Sequence, residues 1–118
     1  MKFELIMNGT PYEFVFGMGF LKTINAKATV KVQNSNYVMN TGLKFIMAQV
    51  IDKDVEALAE VLMTANKGMN PRLTQKDLYA FLEDEETDID AVFDTVMDFF
   101  GKANVTKTAY KELAVKEA

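Results

Sequence analysis

The sequence predicts an α+β fold: N-terminal β-hairpins forming a small antiparallel sheet, followed by a mainly α-helical C-terminal part. Three observations lead there. An Asn-Gly pair, Asn8-Gly9, stands between two runs of alternating apolar residues. From Thr41 onward the apolar residues recur at helical spacing instead. The chain has 118 residues, 49% of them apolar and 25% charged, which suits one domain with a real core and no need of disulfides or metals.

The first hairpin follows from turn chemistry. Phe3, Leu5 and Met7 alternate before Asn8-Gly9, and Tyr12, Phe14 and Phe16 alternate after it. Asn-Gly suits a two-residue turn because both central positions need φ > 0. That turn sets Met7 opposite Thr10, Leu5 opposite Tyr12 and Phe3 opposite Phe14, with Phe3, Leu5, Tyr12 and Phe14 on one apolar face. Pro11 then falls opposite Ile6 in a non-hydrogen-bonded pair, where its missing N–H costs the ladder nothing. Glu4 meets Glu13 on a face open to water, with Lys2 as a diagonal neighbour.

A Phe-Gly-x-Gly-Phe-Leu segment, residues 16–21, leads into a helix with Phe20, Leu21 and Ile24 on one stripe. Gly17 and Gly19 do not complete a dinucleotide fingerprint, because Lys22 stands where the third glycine belongs. Residues 29–40 read as a second hairpin, with Val30, Val32, Tyr37 and Met39 around Asn34-Ser35-Asn36, able to extend the first into one small sheet. A helix follows, with Leu43, Ile46, Met47 and Val50 on one face. After a break, Asp52 is the expected cap of a helix whose stripe is Val55, Leu58, Ala59, Leu62 and Met63. Gly68 is the expected stop, and Asn70-Pro71 a turn. Thr74 to Asp77 resembles a capping box ahead of a short helix carrying Leu78, Phe81 and Leu82. The last strong helix opens at Thr87 or Asp88. Its stripe is Ile89, Val92, Phe93, Val96, Met97 and Phe100, and Gly101 interrupts it. Residues 1–103 therefore read as one domain, with 104–118 a loosely ordered or helical tail.

Absences narrow the function. The chain has no Cys and no His. That removes the thiolate nucleophile, the sulfur metal site, the commonest general base and the commonest metal ligand. Ser35 is the only serine and has no histidine to activate it. The expectation is no enzyme, no catalytic residues, no cofactor and no metal. Net charge is −4 and Arg72 is the only arginine, against the basic stripe of a nucleic-acid binder. No apolar run approaches the ~20 residues that span a bilayer, and Glu4 falls where a signal peptide would continue its apolar run. The acids Glu83, Asp84, Glu85, Glu86, Asp88, Asp90, Asp94 and Asp98 lack the Gly and closing Glu of a calcium loop. They read as a helix start and a solvated face. The same acids motivate an alternative function: a small acidic binding module or inhibitor that mimics nucleic acid or blocks a basic protein.

Two features point to protein contacts. Eight methionines give a soft, adaptable apolar surface, with Met47, Met63 and Met97 expected in the core and Met18 and Met69 expected outside it. Phe99 widens the stripe of Phe93, Val96 and Phe100. Either its helix is buried on two sides, or Phe99 faces a partner or a second copy of the chain. The candidate partner-binding residues are Phe99, Met97, Phe100, Tyr110, Leu113 and Val115.

Together these residues resemble a family. The order is the Asn-Gly hairpin, the Phe-Gly-x-Gly-Phe-Leu lead-in and the Gly42-Leu43 start. An Ala- and Leu-rich helix over 55–65 and a segment over 71–81 with a Thr cap follow. An Asp88-Ile89-Asp90-x-x-Phe93 helix and a Lys- and Asn-bearing end close the chain. The pattern is similar to the tail assembly chaperones of long-tailed, siphovirus-type phages and prophages of Gram-positive bacteria. The resemblance implies a chaperone that binds the tape measure protein and the tail tube protein. It also implies work in the cytoplasm of the bacterial host, absence from the mature virion and, in many members, a longer product made by ribosomal frameshifting near the gene's end.

Overall fold

The computed structural model describes residues 1–27, 29–31, 38–40 and 42–117, with the side chains of 29–31, 38–40 and 115–117 outside the description. Strands β1 (Lys2–Met7) and β2 (Thr10–Val15) pair antiparallel in the register that the turn dictates: Phe3 with Phe14, Glu4 with Glu13, Leu5 with Tyr12, Ile6 with Pro11. Asn8 and Gly9 sit at φ 52° and 82°, as a two-residue turn of this kind requires. The Phe16 N–H donates to the Met1 carbonyl at 3.0 Å and continues the ladder. Lys2 reaches Glu13 at 3.4 Å on the wet face, where an exposed pair adds little stability. On the other face Phe3, Met7, Tyr12 and Phe14 are buried, while Leu5 is only partly so.

Six helices follow among the described residues. They are α1 (Met18–Ala26), α2 (Gly42–Ile51), α3 (Val55–Asn66), α4 (Gln75–Glu83), α5 (Ile89–Phe100) and α6 (Lys107–Glu117). Between α1 and α2, β3 (Thr29–Lys31) pairs with β4 (Val38–Asn40), Val30 opposite Met39. The second hairpin thus exists but does not extend the first; each forms its own two-stranded sheet. With α1 between them in the chain, β2 instead packs against α3. The expected turn at Asn34-Ser35-Asn36, with Val32 and Tyr37 beside it, lies outside the described residues.

Helix α2 begins at Gly42 for a steric reason. A Cβ there would lie 1.9 Å from the Ile24 carbonyl oxygen, so only glycine lets α2 start against the end of α1. Asn25 Oδ1 accepts from the Leu43 N–H at 2.9 Å and joins the two helices at that point. Leu43, Ile46, Met47 and Val50 are buried as their spacing predicts. The cap of α3 is Asp54, not Asp52: its side chain accepts from the Ala57 N–H at 3.1 Å. Lys53 takes φ 65° and turns the chain there, moving the cap two residues on. Helix α3 buries Leu58, Ala59 and Leu62 of the expected stripe together with Ala57, Val61 and Ala65, whereas Val55 is 46% exposed and Met63 half-buried. The buried face is therefore rotated from the stripe that the spacing suggests.

Asn66, the last residue of α3, holds three parts together. Its Nδ2 donates to the Glu13 carbonyl at 2.9 Å and to the Pro71 carbonyl at 3.3 Å, and its Oδ1 accepts from the buried Leu73 N–H at 2.7 Å. Glu13 sits in a non-hydrogen-bonded pair, so its carbonyl points out of the hairpin, and Asn66 covers that open edge. Gly68 at φ 85° then turns the chain away. Thr74 caps α4 through the Asp77 N–H at 3.2 Å, and Asp88 caps α5 through the Ala91 N–H at 3.1 Å. Each such cap stabilises its helix by about 1 kcal/mol.

Candidate functional site

The corner where α5 gives way to α6 brings together most of the residues singled out by the sequence. Gly101 ends α5, its N–H donating to the Met97 carbonyl at 3.2 Å. Thr106 fixes the bend: its buried hydroxyl donates to the Phe100 carbonyl at 2.7 Å and lies 3.3 Å from that of Ala103. From Lys107 the chain is helical, and α6 packs chiefly on α2. Lys44 reaches Glu112 at 3.5 Å across that contact.

Phe99 is half-buried. Its ring stacks on Phe3 at 4.6 Å and 15°, and the Lys102 Nζ sits 5.5 Å from its centroid. Aromatic and cation contacts of this kind each add about 0.5–1 kcal/mol. Phe100 is fully buried and stacks on Phe16 at 4.9 Å, so it supports the corner from inside and offers nothing to a partner's surface. Met97, Tyr110 and Leu113 are half-buried against the core. Met97 and Tyr110 share a shallow hollow with Asp94, Asp98, Gly101 and Lys102. Burial raises the Tyr110 phenol above its ordinary pKa, and the nearby Asp98 charge raises it further. Val115 lies on α6, with its side chain outside the description.

The acids behave as a solvated row. Asp90, Asp94 and Asp98 are exposed on α5, and two are partnered: Asp94 by Lys53 at 3.5 Å and Asp98 by Lys102 at 2.9 Å. Among the methionines, Met47 is fully buried, Met18 is exposed, and Met63, Met69 and Met97 lie between.

Sequence reasoning missed two apolar exposures. Phe45 on α2 is 61% exposed, although its neighbours Ile46 and Met47 are buried. The other is a cleft of about 630 Å³ between the end of α1, the length of α3 and one face of α4. Its signal was present in Val55 and Met63, which the stripe reading assigned to the core.

A family model described as "Phage tail assembly chaperone protein, TAC" matches residues 4–114. The chain belongs to the phage tail assembly chaperone family. The match runs from β1 into α6, so the hairpin, the helices and the α5–α6 corner of this tail assembly chaperone all fall within it. No curated protein matches. No solved structure matches either. Among the described residues, no helix of the chaperone is long and apolar enough to cross a membrane.

Proposed function

We propose that this tail assembly chaperone holds the tape measure protein, the tail tube protein or both while a siphovirus-type tail is built in the cytoplasm of its Gram-positive host, and that it is absent from the finished virion. The observation that supports this reading is the α5–α6 corner, where Phe99, Met97, Tyr110 and Leu113 present half-buried apolar surface beside exposed acids. A long helical client exposes apolar surface until the tube encloses it. A small acidic domain with an adaptable apolar patch covers such surface and keeps the complex soluble. The work is holding, not catalysis, in keeping with a chain that has no Cys and no His.

The test is co-expression with the tape measure protein and, separately, with the tube protein, comparing the full chain with one ending before Asn104. The full chain should co-purify with its client and the shortened chain should not. Leu113→Asp, which leaves the buried corner in place, should weaken capture in the same direction. Equal capture by all three would refute the role of this corner. Finding the chain in purified virions would refute its release.

A further inference from the structure

The cleft beside α3 shares no residue with the α5–α6 corner. Its apolar lining is Val55, Ala59, Met63, Leu73, Tyr79 and Leu82. Val55 and Tyr79 are each 46% exposed, a large fraction for apolar side chains that lie together. Helix α3 lines it from Val55 to Lys67, so the twelve helical residues make a wall about 18 Å long. Such a wall is long enough for about three turns of a partner helix.

The charges along the cleft are ordered. Lys27 and Glu60 pair with each other and cancel. Four other charged residues line it, and none of them makes an ion pair among the described residues. Lys67 and Arg72 stand where α3 runs into the connection to α4. Glu56 and Glu83 stand at the opposite end of each helical wall: Glu56 in the first turn of α3, Glu83 at the end of α4. Bases thus mark the junction and acids mark the far ends. Arg72 is the chain's only arginine, and Asn66, by bonding to Pro71 and Leu73 on either side of it, fixes the backbone that presents it.

We propose that this cleft is a second docking site, and that it takes an amphipathic helix of a partner protein with acidic residues at the end that meets Lys67 and Arg72 and basic residues at the end that meets Glu56 and Glu83. The apolar stripe of that helix covers Val55, Met63, Tyr79 and Leu82. The two-signed ends set how far the helix slides along the wall, because one turn of slippage separates both sets of charges. A second copy of this chain is a poor occupant. Its α5 carries acids along its exposed length, and its α6 mixes the signs in its last turn, Lys116 beside Glu117, so neither offers one acidic and one basic end on an apolar stripe.

The probe is a synthetic peptide of about 15 residues, long enough for the wall. It carries leucines at i, i+3, i+4 and i+7, glutamates in its first turn and lysines in its last. Binding is read by amide and methyl NMR shifts of the full chain. The peptide should shift Val55, Met63, Tyr79 and Leu82, and leave Leu113 unmoved. Arg72→Glu changes an exposed side chain, and Val55→Asp places an acid in the first helical turn, where the helix dipole favours it. Both variants should therefore fold, and each should weaken binding about tenfold or more, a loss of roughly 1.4 kcal/mol. A peptide with lysines at both ends should bind as weakly as these variants. Several results would overturn the proposal: shifts confined to the α5–α6 corner, equal affinity for the two peptides, no shifts up to about millimolar peptide, or burial of the cleft by self-association. Since the probe is not a tail protein, failure here leaves the holding role at the α5–α6 corner intact.

Discussion

Replacing Asn66 with alanine should loosen a strand edge, a helix end and a loop at once. The side chain is 1% exposed and makes three bonds, to Glu13, Pro71 and Leu73. Leu73 is itself 2% exposed, so its N–H has no water to turn to when Oδ1 is removed. Stranding a buried donor costs about 1–3 kcal/mol, and losing each of the two carbonyl bonds costs about 0.5–1 kcal/mol more. The sum is roughly 2–5 kcal/mol, a large share of the ~5–15 kcal/mol that holds a domain together. At about 4 °C per kcal/mol for a chain of this size, Tm should fall by about 8–20 °C. Thermal and urea unfolding followed by circular dichroism measure the loss, and hydrogen exchange locates it. The Leu73 amide should lose protection in the variant by more than amides in α5 do. The exposed Asn104→Ala serves as control and should change stability by less than ~0.5 kcal/mol. An Asn66→Ala protein within ~0.5 kcal/mol of the parent, with Leu73 still protected, would refute the reasoning.

Two further predictions concern the α1–α2 contact and the corner tyrosine. Gly42→Ala should destabilise the fold by about 1–3 kcal/mol despite alanine's higher helix propensity, because the Ile24 backbone has no room for a Cβ; a stabilised variant in urea unfolding would contradict this. Tyr110 should titrate above 10.0 in ring-labelled NMR spectra, and Asp98→Asn should lower its pKa without returning it to 10.0, since burial is the larger cause. Folding favours the protonated phenol, so its contribution to stability is intact below the unfolded value near 10 and is lost as pH rises through the higher folded value. A Tyr110 midpoint at or below 10.0 would be the wrong result.

What the sequence revealed and what it hid divide along one physical line. The first hairpin was legible to the residue because its information is local: a turn pair that needs φ > 0, then strict alternation. Thr74 and Asp88 were legible as caps for the same reason. Asp54 was not, because Lys53 takes the left-handed turn that carries the chain past Asp52, and lysine gives no sign of doing so. Asn66 and Thr106 were invisible as structural residues. Each is a polar side chain whose partners are backbone groups, in one case 53 residues away. The family pattern was legible from short motifs spread over the chain, one of which, Gly42-Leu43, is now explained by the close approach of Ile24. The α5–α6 corner was singled out because Phe99 widens a stripe. The cleft was missed because Val55 fits one.

The ring of Phe3 lies between Phe14 and Phe99, and Phe16 lies against Phe100. The first hairpin leaves the ribosome long before α5 is made. Until then Phe3 and Phe16 lack the rings of α5 that close over them, and a lone hairpin is barely stable in water. Completion of the fold therefore waits on a contact between nearly opposite ends of the chain, a slow kind of contact to form. During synthesis the hairpin's uncovered aromatic rings are, for a short time, a place where unfinished chains can stick to one another.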